Sequence, residues 1–134
     1  MGPLSISADG RDTMTIRVAR VYDARTAGDD DGARVLVDRL WPRGLAKADV
    51  HLDLWLKDVA PSDELRTWFG HDPARFEEFA GRYRAELEAN PGVEELRRLE
   101  VERGTLTLLY GAKDTEHNQA VVLADYLRGA GAPR

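Results

Sequence analysis

TLTLLY at residues 105–110, followed by GAKDTEHNQAVVLADYL at 111–127, decides the fold. The first six residues are almost wholly apolar and too short for a helix, so they read as a strand buried on both faces. Small residues Gly111 and Ala112 turn the chain. Ala120, Val121, Ala124 and Leu127 then recur at helical spacing, which predicts a last helix entered directly from the turn. A strand, a tight turn and a helix form an α/β unit, so the expected fold is a small, mostly parallel sheet covered by helices in a single domain.

Working outward, residues 15–22 (TIRVARVY) are β-branched and nearly alternating, and residues 34–40 (RVLVDRL) form a second apolar run; both predict strands. Leu52, Leu54 and Leu56 alternate with polar or aromatic neighbours and suggest a third extended segment, for which a short amphipathic helix is the competing reading. The middle of the chain is helical. Ser62 is placed to cap a helix running to Phe69, with Asp63 and Glu64 at its positive end. Asp72-Pro73 combines a cap with a proline at the first helical position. Phe76, Phe79, Ala80, Tyr83 and Leu87 make a core-facing stripe, and Asn90-Pro91-Gly92 breaks it. Val93, Leu96 and Leu99 carry a further helix to Gly104. Residues 1–13 read as a flexible arm, 14–129 as the α/β domain and 130–134 as a tail, with an exposed acidic loop around 28–32.

Composition narrows the chemistry. The chain has 134 residues, 43% hydrophobic and 32% charged, as in an ordinary globular protein. It contains no cysteine, which excludes disulfides, thiolate nucleophiles, thiolate zinc sites and iron–sulfur clusters. No apolar run approaches the ~20 residues needed to span a bilayer and there is no secretory leader, so a cytoplasmic protein without membrane contact is expected. A net charge of −5 disfavours broad nucleic-acid binding, which requires many neutralised phosphates, yet allows a local basic pocket. His51, His71 and His117 lack the spacing of a helical zinc site, and the GAKD turn lacks that of a phosphate-binding loop, so neither metal nor cofactor is expected.

Polar residues concentrate in two segments, Asp38-Arg39-Leu40-Trp41-Pro42-Arg43-Gly44 and Lys113-Asp114-Thr115-Glu116-His117-Asn118. Each follows an apolar strand, where open α/β sheets bind ligands. Arginines can clamp a carboxylate or phosphate bidentately, and a helix's first turn offers free N–H groups to an anion. The expected site is therefore a pocket for a small anionic ligand. Arg39, Arg43, Lys113, Asp114 and Asn118 would converge there, with Trp41 and Tyr110 as walls. His117 would be the acid or base of any hydrolysis or group transfer. Asp38 is read as an orienter of arginine. The alternative is structural: Asp114 or Thr115 caps the helix, His117 satisfies a core hydrogen bond, and Asp38 pairs with Arg39 or Arg43 to hold a turn. A non-catalytic module recognising a protein or nucleic-acid partner fits the same residues.

Three blocks carry a family pattern: VDRLWPRG at 37–44, LDLWLKDVAPSDELRTWFGHDP at 52–73 with FEEFAGRYRAEL at 76–87, and LTLLYGAKDTEHNQAVVLADYL at 106–127. The chain thus resembles the YeaO-like branch of the domain-of-unknown-function family 488. The resemblance implies a small bacterial α/β protein with no agreed activity. Other branches carry a cysteine at the position matching Tyr110 and a Cys-His-Arg string matching Asn118-Gln119-Ala120. Their thiol chemistry does not carry over to this chain.

Overall fold

A computed structural model describes residues 15–26, 28 and 31–130. The arm expected over residues 1–13 lies outside them, as does all but the first residue of the expected tail. Four strands, β1 (Thr15–Arg20), β2 (Ala33–Leu36), β3 (Leu54–Trp55) and β4 (Thr105–Tyr110), form one sheet in the order β1-β4-β2-β3, with every pairing parallel. Helices α1 (Asp63–Phe69), α2 (Phe76–Leu87), α3 (Gly92–Arg103) and α4 (Gln119–Asp125) complete the α/β domain. No helix among the described residues is long and apolar enough to cross a membrane.

The predicted central strand occupies the middle of the sheet. Leu106, Leu108 and Leu109 of β4 are fully buried, because parallel neighbours and covering layers occupy both faces. Alternation along the strands sorts those layers. Ile16, Ala33, Val35, Leu106 and Leu108 meet the apolar stripe of α2, including Phe79, Tyr83 and Leu87, together with Leu96, Leu123 and Ala124. Leu36 and Leu109 point the other way, against Val21, Leu45, Trp41, Leu52 and Trp55, which come from connecting segments and the short β3.

Among the described residues no long helix covers that second face, and a buried arginine holds its loops. Arg34 is 0% exposed. Its Nε donates to the carbonyl of His51 at 2.8 Å, one terminal nitrogen reaches Asp31 and the other the carbonyl of Ala24. Asp31 in turn accepts from Gly28, and its carbonyl accepts from Thr107 Oγ1 at 2.7 Å. A buried guanidinium needs this completeness, since each unmade bond would leave a desolvated donor.

Local signals in the sequence explain the helix ends. Ser62 Oγ accepts from the Leu65 N–H at 3.2 Å, and Asp72 accepts from Ala74 at 3.0 Å ahead of a 3₁₀ turn that runs into α2. Gly104 closes α3 in the left-handed conformation.

Three expected elements are shorter than predicted. β1 stops at Arg20, and residues 21–23 form a 3₁₀ turn. The strand predicted over 34–40 ends at Leu36; Val37 still donates to the Leu109 carbonyl, but past it β4 has run out of backbone partners. In the extended segment over 52–56, Leu54 and Trp55 are in register with β2, and Asp53 and Leu56 donate to the carbonyls of Arg34 and Leu36 at 2.8 and 2.9 Å.

The last helix needs the largest correction. It begins at Gln119, not in the GAKD turn, and Asn118 caps it by accepting from Val121 at 3.1 Å. Residues 111–118 are a loop. Asp114 folds it by accepting the N–H groups of Glu116 and His117, a side-chain turn that competes with helix.

Gly32 tests how tightly β2 is entered. Its φ is +61°, and a Cβ there would lie 2.1 Å from the Thr105 carbonyl oxygen. Replacing it with alanine combines left-handed strain with a backbone clash. Gly32→Ala should therefore lower stability by ~2–4 kcal/mol in urea unfolding, and a loss below ~1 kcal/mol would show that β2 can shift to relieve it.

Candidate functional site

Where β2 and β4 end, the backbone ladder is finished by a side chain. Asp38 Oδ2 accepts the Gly111 N–H at 2.9 Å, and its Oδ1 accepts from Gln119 Nε2 of α4 at 2.5 Å. The Asp38 carbonyl accepts from Trp55 Nε1 at 2.7 Å, tying in β3. A Cβ on Gly111 would sit 2.9 Å from Asp38 Oδ2 and 3.3 Å from Pro42, so only glycine fits this approach. Asp38 is therefore bonded to the ends of the sheet and to α4. No contact to Arg39 or Arg43 orients those arginines, contrary to the expectation.

Burial pushes the Asp38 carboxyl up to about 6, against the opposing pull of the Gly111 and Gln119 hydrogen bonds and the charge of His71.

Asp38 faces a cleft of about 300 Å³ at the C-terminal ends of the strands. Arg39, Trp41, Arg43 and Asn118 also line it, so five of the nine residues proposed from sequence meet there. Arg39 is held at the rim: its Nε lies 3.5 Å from Asp63, and its terminal nitrogen donates to the Pro61 carbonyl at 3.4 Å. Asp63 also pairs with Arg66 at 3.4 Å, which brings a third arginine to the cleft. Arg43 offers its carbonyl to the Tyr22 hydroxyl, and no partner of its guanidinium is found among the described residues. Trp41 is braced by Nε1 donating to Leu45 at 2.6 Å and by an edge contact to Trp55 with centroids 5.3 Å apart. Phe69 and Phe79 supply apolar wall.

The remaining predicted residues lie elsewhere. Tyr110, Lys113, Asp114 and His117 do not line the cleft. Tyr110 is 3% exposed within the helix-side core. His117 Nδ1 is 2.9 Å from Asp114 Oδ2, and its ring packs edge-on against Phe76 at 5.1 Å. Asn118 touches the cleft, but its amide is used in the cap and in a bond to the Asp114 carbonyl at 2.9 Å. The predicted meeting of Arg39 and Arg43 with Lys113 and His117 does not occur.

Arg66, His71 and Gln119 line the cleft instead, and the sequence reading passed over them. His71 stands out in its backbone conformation. It follows Gly70 and Phe69 at the end of α1, and both Gly70 (φ 55°) and His71 (φ 60°) are left-handed. A non-glycine residue held there is uncommon and costs on the order of 1 kcal/mol or more, a pattern that gathers at binding sites. Among the described residues no three His, Asp or Glu side chains gather as a metal site.

An all-parallel α/β sheet with a basic cleft at its strand ends defines the class of protein. Over residues 15–132 the chain matches the family model described as the inactive DUF488-N3 subclade, and it belongs to that DUF488 family. It is 47% identical over 117 residues to the uncharacterised protein YeaO of Escherichia coli, covering 86% of this chain and 98% of YeaO. An uncharacterised protein of Mycobacterium tuberculosis is also 47% identical, over 114 residues, covering 85% of this chain and 94% of its own. No solved structure matches the chain.

The raised Asp38 carboxyl has a definite sign in stability. Its folded value exceeds the unfolded one, so the fold takes up a proton as pH falls from about 6 toward ~4, and stability rises over that window. The gain is on the order of 2 kcal/mol. Asp31 and Asp114 are lowered by hydrogen bonds, and their contributions are lost only at more acid pH. Urea unfolding between pH 7 and 4 should show this rise in the parent and a flatter profile in Asp38→Asn. Matching slopes would mean that Asp38 is not the group responsible.

Proposed function

We propose that this chain is a cytoplasmic, non-catalytic binding or regulatory module whose cleft takes a small ligand bearing a phosphate or carboxylate. One observation carries the reading: Arg39, Arg43 and Arg66 border a single cleft on a chain whose net charge is −5. Guanidinium groups match the forked oxygens of such anions, and concentrating them on an acidic body focuses the field at one place. Placement at the C-terminal ends of parallel strands supports it, as does the word inactive in the description of the subclade. Net acidity weighs against nucleic acid as the general partner.

Hydrolysis or group transfer is the second reading. It rests on Asp38, whose carboxyl burial raises to about 6, and on His71 lining the same cleft. His117 carries no acid–base role in either reading, because it stands in the Asp114 loop. Release of p-nitrophenol from its phosphate or acetate ester, abolished by His71→Gln, would establish turnover.

Inorganic phosphate and succinate titrated by NMR should shift the Trp41 indole and Gly111 amide signals. Arg43→Ala and Arg66→Ala should each weaken binding roughly tenfold, the scale of one charge-assisted contact, with unchanged melting temperature. His117→Ala should leave affinity unchanged. Binding that survives both arginine substitutions would place the anion elsewhere.

A further inference from the structure

The cleft has two chemically opposite ends. Its rim is cationic, with Arg39, Arg43 and Arg66, while its floor is the Asp38 carboxylate. Each Asp38 oxygen accepts one protein hydrogen bond, from Gly111 or from Gln119. A carboxylate has about four lone-pair sites, so roughly half its acceptor capacity is left. None of the arginines that share the cleft fills it. Arg39 and Arg66 are instead held by the exposed Asp63 on the rim. Of the other polar groups near the floor, Asn118 is spent on its cap and the Tyr83 hydroxyl donates to the Val59 carbonyl at 2.6 Å, while His71 acts on Asp38 through its charge and makes no hydrogen bond to it. Trp41, Phe69 and Phe79 line the same cleft and offer no acceptor for an ammonium or free donor for an anion.

A ligand that is anionic only would meet the arginines but also set its charge in the same cleft as a carboxylate of like sign, which is costly. From this juxtaposition we propose that the ligand is zwitterionic: a phosphate- or carboxylate-type anion at one end and a protonated amine at the other, the amine donating to Asp38. The proposal rests on the cleft being an anion site, and it adds the second recognition group. The 300 Å³ volume suits a compact molecule carrying both charges. Three donors on an ammonium match the free positions of one carboxylate.

The test uses two probes of the same shape, taurine and propane-1-sulfonate, in which an ammonium replaces a methyl group at the far end from a sulfonate. Neither sulfonate titrates in the range used. By NMR at pH 7.5, taurine should bind the intact chain at least tenfold more tightly. Asp38→Asn should bring that ratio to within twofold of one. Since Asp38→Asn also removes a hydrogen-bond acceptor from the fold, the parent chain supplies a second readout. Between pH 7.5 and 5 its preference for taurine should fall about tenfold as Asp38 takes up a proton. The charged and titratable groups facing Asp38 are His71 from the α1–α2 loop and Tyr83 from α2, with the three arginines sharing the cleft; His71→Gln should keep the fall but move it to higher pH, because the charge that holds the Asp38 value down is gone. Equal affinity for the two probes overturns the zwitterion while leaving the anion site standing. If phosphate and both sulfonates fail to bind, the anion site itself falls and the zwitterion with it.

Discussion

A single buried carboxylate joins the parts of this fold that meet at the cleft. Asp38 stands where β2 and β4 run out of mutual backbone bonds, and its side chain supplies the acceptors that the missing ladder would have given. It takes α4 through Gln119 and β3 through the Trp55 indole. Burying a charge there is unfavourable, as its raised titration shows, and two hydrogen bonds only partly offset the cost. Much nearby follows from it. Gly111 must lack a side chain, Pro42 packs beside it, and the loop from 111 to 118 must run long enough to return Gln119 to Oδ1.

The sheet and its helices were readable because burial leaves a periodic trace. β4 is apolar at consecutive positions because both its faces are covered, and Phe79, Tyr83 and Leu87 repeat at helical spacing because α2 covers one of them. Caps at Ser62 and Asp72 use local bonds and need no distant partner. The start of α4 was ambiguous for the same reason. Asp114 and Asn118 are both good caps four residues apart, and short-range preference does not choose between them. Tertiary structure does, by drawing Gln119 to Asp38. Moving that start by about one turn removed Lys113 and His117 from the predicted pocket.

Half of the cleft was legible because it comes from one continuous segment. Asp38, Arg39, Trp41 and Arg43 are neighbours in sequence and remain so in space. Arg66 and His71 reach the same place through a helix end, and nothing in their local pattern names that destination. Only the paired left-handed residues Gly70 and His71 hint at it, and φ is not written in a sequence. Asp63 shows why arginines alone mislead: an exposed acid holds two of them at the rim, so clustering can reflect mutual restraint as well as recognition. The meeting of Asp38 with these arginines in one cleft is the sharper signal, since no ion pair between them holds the fold.

Arg34 bears on a different matter, the freedom of this chain to change. Of the three attachments made by its guanidinium, one reaches the Asp31 side chain, while its Nε and one terminal nitrogen address the carbonyls of His51 and Ala24. Every amino acid presents a carbonyl. Residues 24 and 51 can therefore be replaced by almost anything that keeps the path of the backbone, whereas Arg34 itself cannot be exchanged even for lysine, which lacks the planar fork. The face without a long helix thus concentrates its requirement in one position and leaves its loops open to drift, insertion and new surface chemistry.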